Sequence, residues 1–544
     1  MNDSSLLFLE KGNDDDILRF FSGFNVKNAK TSSFPEISKN IKYKLANRCS
    51  SILSSKSVSC QKSCLEFIRI LSRDKNNVNE LASNSLLSNI IQIAGVKKCD
   101  IQDFLKQNKD MSVIVEAQKC LCNLIFNSSE AQTLCCHNGC IDGVITRLKI
   151  NPNFSLEMKL YDMRILFLLT ALCTDTRPKL RNEYHGLEYL TEIMNMIVNK
   201  TVSEELNTAE KLNNDEVNLV CEILKVLFNL TTTSNDTDLD EEEESHYLRL
   251  VSILHDLILT DSTEQQRKHE ILGHIINLLT NMPSSSYEQL LSPQSLNTSK
   301  IQISKDNVYD GMNVEAVASI LHFLKKQLDD SMNAPSQKES LAPVLACLCE
   351  SCRSNRVIRK YVRMKILPPL KDVTHRPEEG NTIRNKLCKM MTSPNIDLKS
   401  LSAELLFILC KHNVKRFVKY TGYGNAAGLL ASRGLMLLYK GKSNSFSSES
   451  DDSDTEEYLS QREKINPMTG CSEEPHINPM AEMSEEQKEY EALKLVNLMD
   501  KLAREKIIQP TKIGPDGKPH PIEHILELQE SPTNDKANHR EDED

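Results

Sequence analysis

The chain has 544 residues, 39% of them hydrophobic and only 5% aromatic, with 17 Gly and no Trp. That scarcity of Gly and aromatics argues against a large β-sandwich and against a Gly-rich nucleotide-binding α/β fold, which leaves a mostly helical protein. The net charge of −10 is unevenly placed: residues 442–544 hold 12 Lys+Arg and 25 Asp+Glu, leaving 54 and 51 for residues 1–441. An acidic tail competes with phosphate for any basic groove, so nucleic acid is not expected as a ligand, and a protein partner fits better.

The N-terminal stretch MNDSSLLFLEKGNDDD has neither the basic start nor the long apolar run of a signal peptide. The 17 cysteines show no framework spacing, so reduced thiols are expected. Apolar runs such as Ile165 to Leu172 fall far short of the roughly 18 residues that span a membrane. A cytoplasmic chain, monomeric and reaching membranes only through a partner, is the expectation.

Three segments then repeat one pattern: FIRILSRDKNNVNELASNSLLSNII, CLCNLIFNSSEAQTLCCHNGCIDGVITRL and FLLTALCTDTRPKLRNEYHGLEYLTEI. Each runs from an apolar helical stretch through a polar turn into a second amphipathic stretch. Aligning Ser85, Gly139 and Gly186 brings Arg69, Asn123 and Thr170 into register. Looser copies centre on Asn229 and Asn277, and two more follow in LAPVLACLCESCRSNRVIRKYVRMK and LSAELLFILCKHNVKRFVKYTGYGNAAGLL. A helix pair at this period buries its apolar faces only against its neighbours, so residues 1–441 are predicted to form an all-α, armadillo/HEAT-type superhelical solenoid.

The polar residues of the register, Arg69, Arg73, Asn123, Asn127, Asn229, Asn277, Arg353 and Arg356, are candidates for a ladder along one groove. Asn brackets a peptide backbone and Arg pairs carboxylates, while the plainer account has these side chains cap helices or satisfy local backbone groups. In Cys135, Cys136, His137 and Cys140 the adjacent cysteines and the missing second pair argue for buried thiols, and Cys347, Cys349 and Cys352 read the same way. Gly422, Gly424 and Gly428 lack the strand that precedes a dinucleotide loop, so packing and turn geometry account for them. No metal, no cofactor and no catalytic side chain is expected.

Beyond Lys442 the composition changes to Ser, Asp and Glu, and residues 442–483 are expected to be a disordered acidic linker containing INPMTG and INPMAE. Ser448 and Ser453 each have an acidic residue three positions on, which suits an acidophilic protein kinase. Residues 484–508 are predicted to form an amphipathic tail helix opened by a Ser484–Gln487 capping box, with Leu495, Val496, Met499 and Leu502 on its apolar side. Residues 509–544 complete a disordered end.

RILSRDK, CLCNLIFNS, LRNEYHGLEYL, GYGNAAGLLASRGL, the acidic serine tract, INPMTG and MSEEQKEYEALKLVNLMDKLAREKIIQP together resemble the synembryn family, also called resistance to inhibitors of cholinesterase, over most of the chain. The resemblance implies an armadillo/HEAT protein that chaperones heterotrimeric G-protein α subunits and exchanges their guanine nucleotide. It places the Gα C-terminal helix on a concave surface that includes Arg69, Arg73, Asn123, Phe167 and Phe228, and it brings the tail helix to the Gα nucleotide domain. The rival expectations are an armadillo scaffold or transport adaptor for extended peptides, and an enzyme, which the missing motifs disfavour.

Overall fold

Helix starts are set by short polar side chains. Asn13 accepts from the Asp16 amide, Asp110 from Ser112, and Ser155 from Met158, so these three helices begin where the sequence supplies an acceptor for their orphan amides. The computed structural model describes residues 12–55, 57–97, 110–150, 154–200, 211–232, 240–293, 307–330, 337–439, 455–473 and 483–522. It divides into two compact units, Met1–Ser292 and Pro293–Asp544.

In the first unit the helices are α1 Asp14–Asn28, α2 Lys39–Ser55, α3 Val58–Leu71, α4 Asn84–Ala94, α5 Met111–Asn127, α6 Ser129–His137, α7 Cys140–Ile150, α8 Leu156–Leu172, α9 Gly186–Lys200, α10 Asn214–Thr231, α11 Glu241–Leu259 and α12 Gln265–Leu279. Helices α1, α3, α5, α8, α10 and α12 form one row, each packed on the next, and a second row pairs α2 with α4 and α9 with α11. Apolar residues on both sides of the first-row helices make this possible: Leu121 and Leu124 of α5, Ile165 and Leu169 of α8, and Leu224 and Leu227 of α10 are all buried. This is the stacked helix-pair architecture that the repeat period predicts.

Two ion pairs lie inside the unit. Arg147 of α7 is fully buried and pairs Asp162 of α8, which also accepts from Gln118 Nε2 at 2.6 Å. Lys42 of α2 pairs Asp74 at 3.2 Å, and the Asp74 carboxylate also receives the Phe34 and Asn76 amides. Buried charges persist only when neutralised and hydrogen-bonded in this way.

The second unit opens with a hairpin, β1 Val308–Tyr309 with β2 Met312–Asn313, and continues through α13 Glu315–Asp330, α14 Gln337–Ser354, α15 Arg356–Ile366, α16 Ile383–Met390, α17 Ile396–Leu409, α18 Val414–Thr421 and α19 Tyr423–Ser432. Helix α17 is its centre, packing on α14, α15 and α16.

The expected disordered linker over 442–483 is corrected in part. Residues 455–473 fold into α20 Glu456–Gln461 and a hairpin, β3 Ile465–Asn466 with β4 Cys471–Ser472, which docks through backbone hydrogen bonds. Tyr423 N donates to Pro467 O and Gly424 N to Met468 O, both at 2.9 Å, and Ser472 N donates to Val373 O at 2.6 Å. The glycines permit this approach. At Gly422, where φ is +74°, a Cβ would lie 2.9 Å from Thr469 O, and at Gly470 it would lie 2.9 Å from the Gly422 Cα. INPMTG thus reads as flexible by composition yet is held by main-chain contacts that a disorder reading does not count.

A second correction concerns 509–544. Within it, β5 Thr511–Ile513 pairs β6 Pro519–Pro521, and the turn between them docks on the end of α19, where a Cβ at Gly517 would lie 2.0 Å from Gly434 O. Between these two docked segments runs α21 Glu485–Arg504, opened by the predicted capping box: the Ser484 hydroxyl accepts from Gln487 N and Gln487 Oε1 from Ser484 N, each at 3.3 Å. Ser448 and Ser453 lie outside the described residues.

Candidate functional site

The register residues of the first unit fall on the first row, and their polar atoms contact the neighbouring helix of that row. Asn123 Nδ2 of α5 donates to Arg69 O of α3 at 3.1 Å, and Asn127 Nδ2 donates to Ser72 O at 2.8 Å. Asn229 Nδ2 of α10 reaches Phe167 O at 3.3 Å and Thr170 Oγ1 at 2.9 Å on α8. Asn123 and Asn127 thereby satisfy carbonyls at the C-terminal end of α3, where helices leave such groups orphaned, and Asn229 adds a contact in the last two turns of α8. Asn277 makes no such contact among the described interactions, and Asn281 takes its place, donating to Phe228 O at 3.3 Å and Thr231 Oγ1 at 3.1 Å. Asn281 lies four residues after Asn277, as Asn127 lies four after Asn123, so the sequence held a signal one turn further along.

The arginines are engaged as well. Arg69 pairs Glu116 of α5 and lies 3.5 Å from Glu66. Arg73 Nη1 donates to Ala29 O at 2.7 Å, beyond the end of α1, while burial and the nearby Arg69 charge lower its pKa from the usual guanidinium value. Two links further on, Glu222 of α10 accepts from Arg164 Nη2 of α8 at 2.6 Å and forms an ion pair with Lys225 at 2.8 Å. Burial opposes the Arg164 charge, but the hydrogen bond and charge of Glu222 outweigh it and raise its pKa. Glu116, Arg164 and Glu222 escaped the sequence reading because they pair across helices, 47 to 58 positions apart.

Aromatic side chains stand beside these links. Phe167 and Phe228 are half-buried, and the Lys225 ammonium lies 4.7 Å from the Phe167 ring centre. Phe126, not singled out from the sequence, is exposed and lies 5.7 Å from Lys75. The row thus presents phenylalanine rings among paired charges, and aromatic side chains and Arg are enriched in protein interfaces.

In the second unit Arg353 is exposed and pairs Glu350 and Glu404, and Glu404 also holds Arg433. Arg356 instead joins Arg359, Lys360, Arg363 and Lys411 around a cavity of about 260 Å³ that Tyr309 also lines. Its charged lining is entirely basic, which suits an anion.

No side chain of α21 is buried. Leu495 is 58% exposed, with Tyr490, Leu493 and Leu498 exposed beside it, whereas Val496, Met499 and Leu502 are half-buried. The apolar side of this helix is largely open.

The cysteine clusters are packed thiols. Cys135 and Cys140 are buried and hydrogen-bonded to each other, which with burial raises the Cys135 pKa, and His137 Nδ1 turns to Thr133 O at 2.7 Å. Burial pushes Cys347 and Cys352 up to about 12. A different trio gathers between α10 and α12: Cys221, Glu270 and His274 bring donor atoms within 4.8 Å of one another. Glu270, however, pairs Arg267, and burial together with the Lys225 charge lowers the His274 pKa, so cations already occupy its surroundings.

The family model described as guanine nucleotide exchange factor synembryn matches residues 64–518. The chain is 40% identical over 539 residues to a protein of Danio rerio named chaperone Ric-8A, covering 96% of each chain. It is 42% identical over 538 residues to chaperone Ric-8A of Xenopus laevis, covering 96% of this chain and 97% of that one, and 37% identical over 575 residues to chaperone Ric-8 of Drosophila melanogaster, covering 97% and 98%. Among solved structures, an engineered protein superposes with a TM-score of 0.42 at 14% identity, covering 83% of this chain and 96% of that chain. A structure reported for the interaction between cadherin and beta-catenin gives 0.40 at 10% identity, covering 81% and 82%. With the match running from α3 through the tail hairpin, this chain belongs to the synembryn family of guanine nucleotide exchange factors.

Proposed function

We propose that the chain is a chaperone and guanine-nucleotide exchange factor for heterotrimeric G-protein α subunits, working without bond-making or bond-breaking by its own side chains. The observation that carries this reading is a family match continuous from α3 along the first helix row and through the exposed tail helix. Exchange accelerates only when the factor binds the nucleotide-free state more tightly than the GDP state. Drawing the Gα C-terminal helix onto the row that bears Phe126, Phe167 and Phe228 loosens the loop that contacts guanine, and α21 then holds the opened nucleotide domain through Leu495, Val496, Met499 and Leu502. The same grip on a nascent, nucleotide-free subunit covers its apolar surface until GTP binds.

Phosphates on Ser448 and Ser453, added by an acidophilic kinase, have a chemically suitable receptor in the basic cavity of Arg356, Arg359, Lys360, Arg363 and Lys411. Exchange by kinase-treated chain should fall when both serines become Ala, and equal rates would remove this role. Among the described residues no helix is long and apolar enough to cross a membrane. We place the protein in the cytoplasm and at the cell cortex as a monomer that meets membranes through Gα.

The deciding experiment truncates the chain after Lys442 and follows release of a fluorescent GDP analogue from Gα by stopped flow. Release should slow by about ten-fold or more as linked contacts are lost, while the Gα C-terminal peptide still binds. A truncated chain as active as the whole would leave the tail without its role. Equal retention of Gα with GTPγS and without nucleotide would refute the exchange mechanism itself.

A further inference from the structure

A cleft of about 790 Å³ opens between the C-terminal end of α7, the N-terminal half of α8, α9 and Leu219 of α10. On α8 it lies toward the chain end opposite Phe167 and Thr170, the residues that Asn229 contacts. Its walls are apolar: Leu148, Phe154, Met163, Ile193 and Ile197 line it, and Met163 is fully buried. The volume falls in the range of small-molecule sites, which are apolar with a few polar groups that fix orientation.

Those polar groups are mostly cationic. Lys149, Lys159, Lys200 and Glu192 belong to the lining, but Glu192 faces Arg249 at 3.4 Å, and Lys149 donates to Tyr184 O at 3.1 Å. Lys159 and Lys200 have no anionic partner among the described residues. They repel each other: burial first, then the Lys200 charge, lowers the Lys159 pKa from the usual ammonium value. An apolar cleft with two cations that no described carboxylate neutralises complements an apolar chain that ends in an anion.

We propose that this cleft binds a long-chain fatty carboxylate, with its chain among Leu148, Phe154, Met163 and Ile193 and its carboxylate at Lys159 and Lys200. The carboxylate relieves the repulsion between the lysines, and the chain leaves water for the apolar walls. Neither lysine belongs to the first-row links or to the tail helix, so the site is separate from the proposed Gα surface.

The test titrates the full-length chain with the fluorescent fatty acid cis-parinarate and displaces it with palmitate or with the uncharged 1-hexadecanol. We expect saturable binding of one probe per chain, with palmitate displacing it about ten-fold better than the alcohol. Lys159→Glu with Lys200→Glu should weaken binding by about ten-fold or more, since both side chains reach solvent and the fold does not depend on them. Ile193→Trp, at a half-exposed wall position, should fill the cleft and abolish binding with an unchanged helical melting curve. Unsaturable uptake, equal displacement by acid and alcohol, or wild-type affinity in the charge-reversed chain would each overturn the proposal. So would a ligand-free dimer in sedimentation that Ile193→Trp disperses, because the cleft would then belong to a second copy. Exchange on Gα is read separately, so its loss or survival leaves this outcome unaffected.

Discussion

Helices α10 and α21 begin in the same way and end up in opposite circumstances. Each opens with a capping box, Asn213 with Glu216 and Ser484 with Gln487, and the two have similar length. Yet twelve residues of α10 are buried and none of α21 is. A cap decides where a helix starts, and the width of its apolar surface decides whether the chain can enclose it. Helix α10 is apolar on both sides and lies between α8 and α12, whereas α21 carries one apolar stripe flanked by local pairs such as Lys488–Glu485 at 2.7 Å and Arg504–Asp500 at 2.7 Å. Such exposed pairs contribute little, so α21 gains most of its stability when a partner covers it.

The strongest way to break the comparison is to attack the enclosed side. Arg147→Ala leaves Asp162 as an uncompensated buried charge and should cost about 3–5 kcal/mol in denaturant unfolding, with no counterpart anywhere in α21. Leu495→Ala with Leu502→Ala should do the reverse. Unfolding should shift by less than about 0.5 kcal/mol, while the affinity for nucleotide-free Gα falls by about 1–3 kcal/mol in calorimetry.

A smaller effect tests the links between row members. Asn229→Ala removes the donor to Phe167 O and Thr170 Oγ1 and should cost about 1–2 kcal/mol, whereas Asn277→Ala should fall within about 0.5 kcal/mol. Equal losses would show that the interhelical contacts are not what stabilises the row. The smallest effect is acid dependence. Burial disfavours the Asp74 charge, but the Asn76 and Phe34 amides and Lys42 prevail and lower its pKa. A lowered carboxylate stabilises the fold above its unfolded pKa of about 3.9 and loses that contribution as pH falls through the folded value. Asp74→Asn should therefore flatten the stability profile below about pH 4, and an unchanged slope would contradict this assignment.

What the sequence revealed follows the range of each interaction. The repeat period, the Ser484 cap and the positions of Asn123, Asn127 and Asn229 are local patterns that appear in the structure, while Asn281 stands where Asn277 was expected. The partners of the register residues were not legible. For Arg69 and Asn123 the sequence left a groove ladder and local backbone contacts both open: Glu116 lies 47 positions from Arg69, and the acceptor of Asn123, Arg69 O, is a main-chain atom that leaves no trace in composition. Residues 465–473 were misjudged for the same reason, since Pro467 O and Met468 O bind through the backbone whatever their side chains.

The close backbone approaches at Gly470 and Gly517 hold the chain to the second unit on both sides of α21, closing a loop that contains it. A ligand that first meets this unit therefore encounters the helix in an intramolecular step, at an effective concentration on the order of mM. Loop-closure entropy grows only slowly, by about 0.6 kcal/mol per doubling of length, so inserts beside α21 should be tolerated as long as both glycine anchors remain. A side chain at Gly434 or Gly517 would release one end and change a closed loop into a trailing arm, altering how fast the helix finds its target while leaving untouched every residue that touches it.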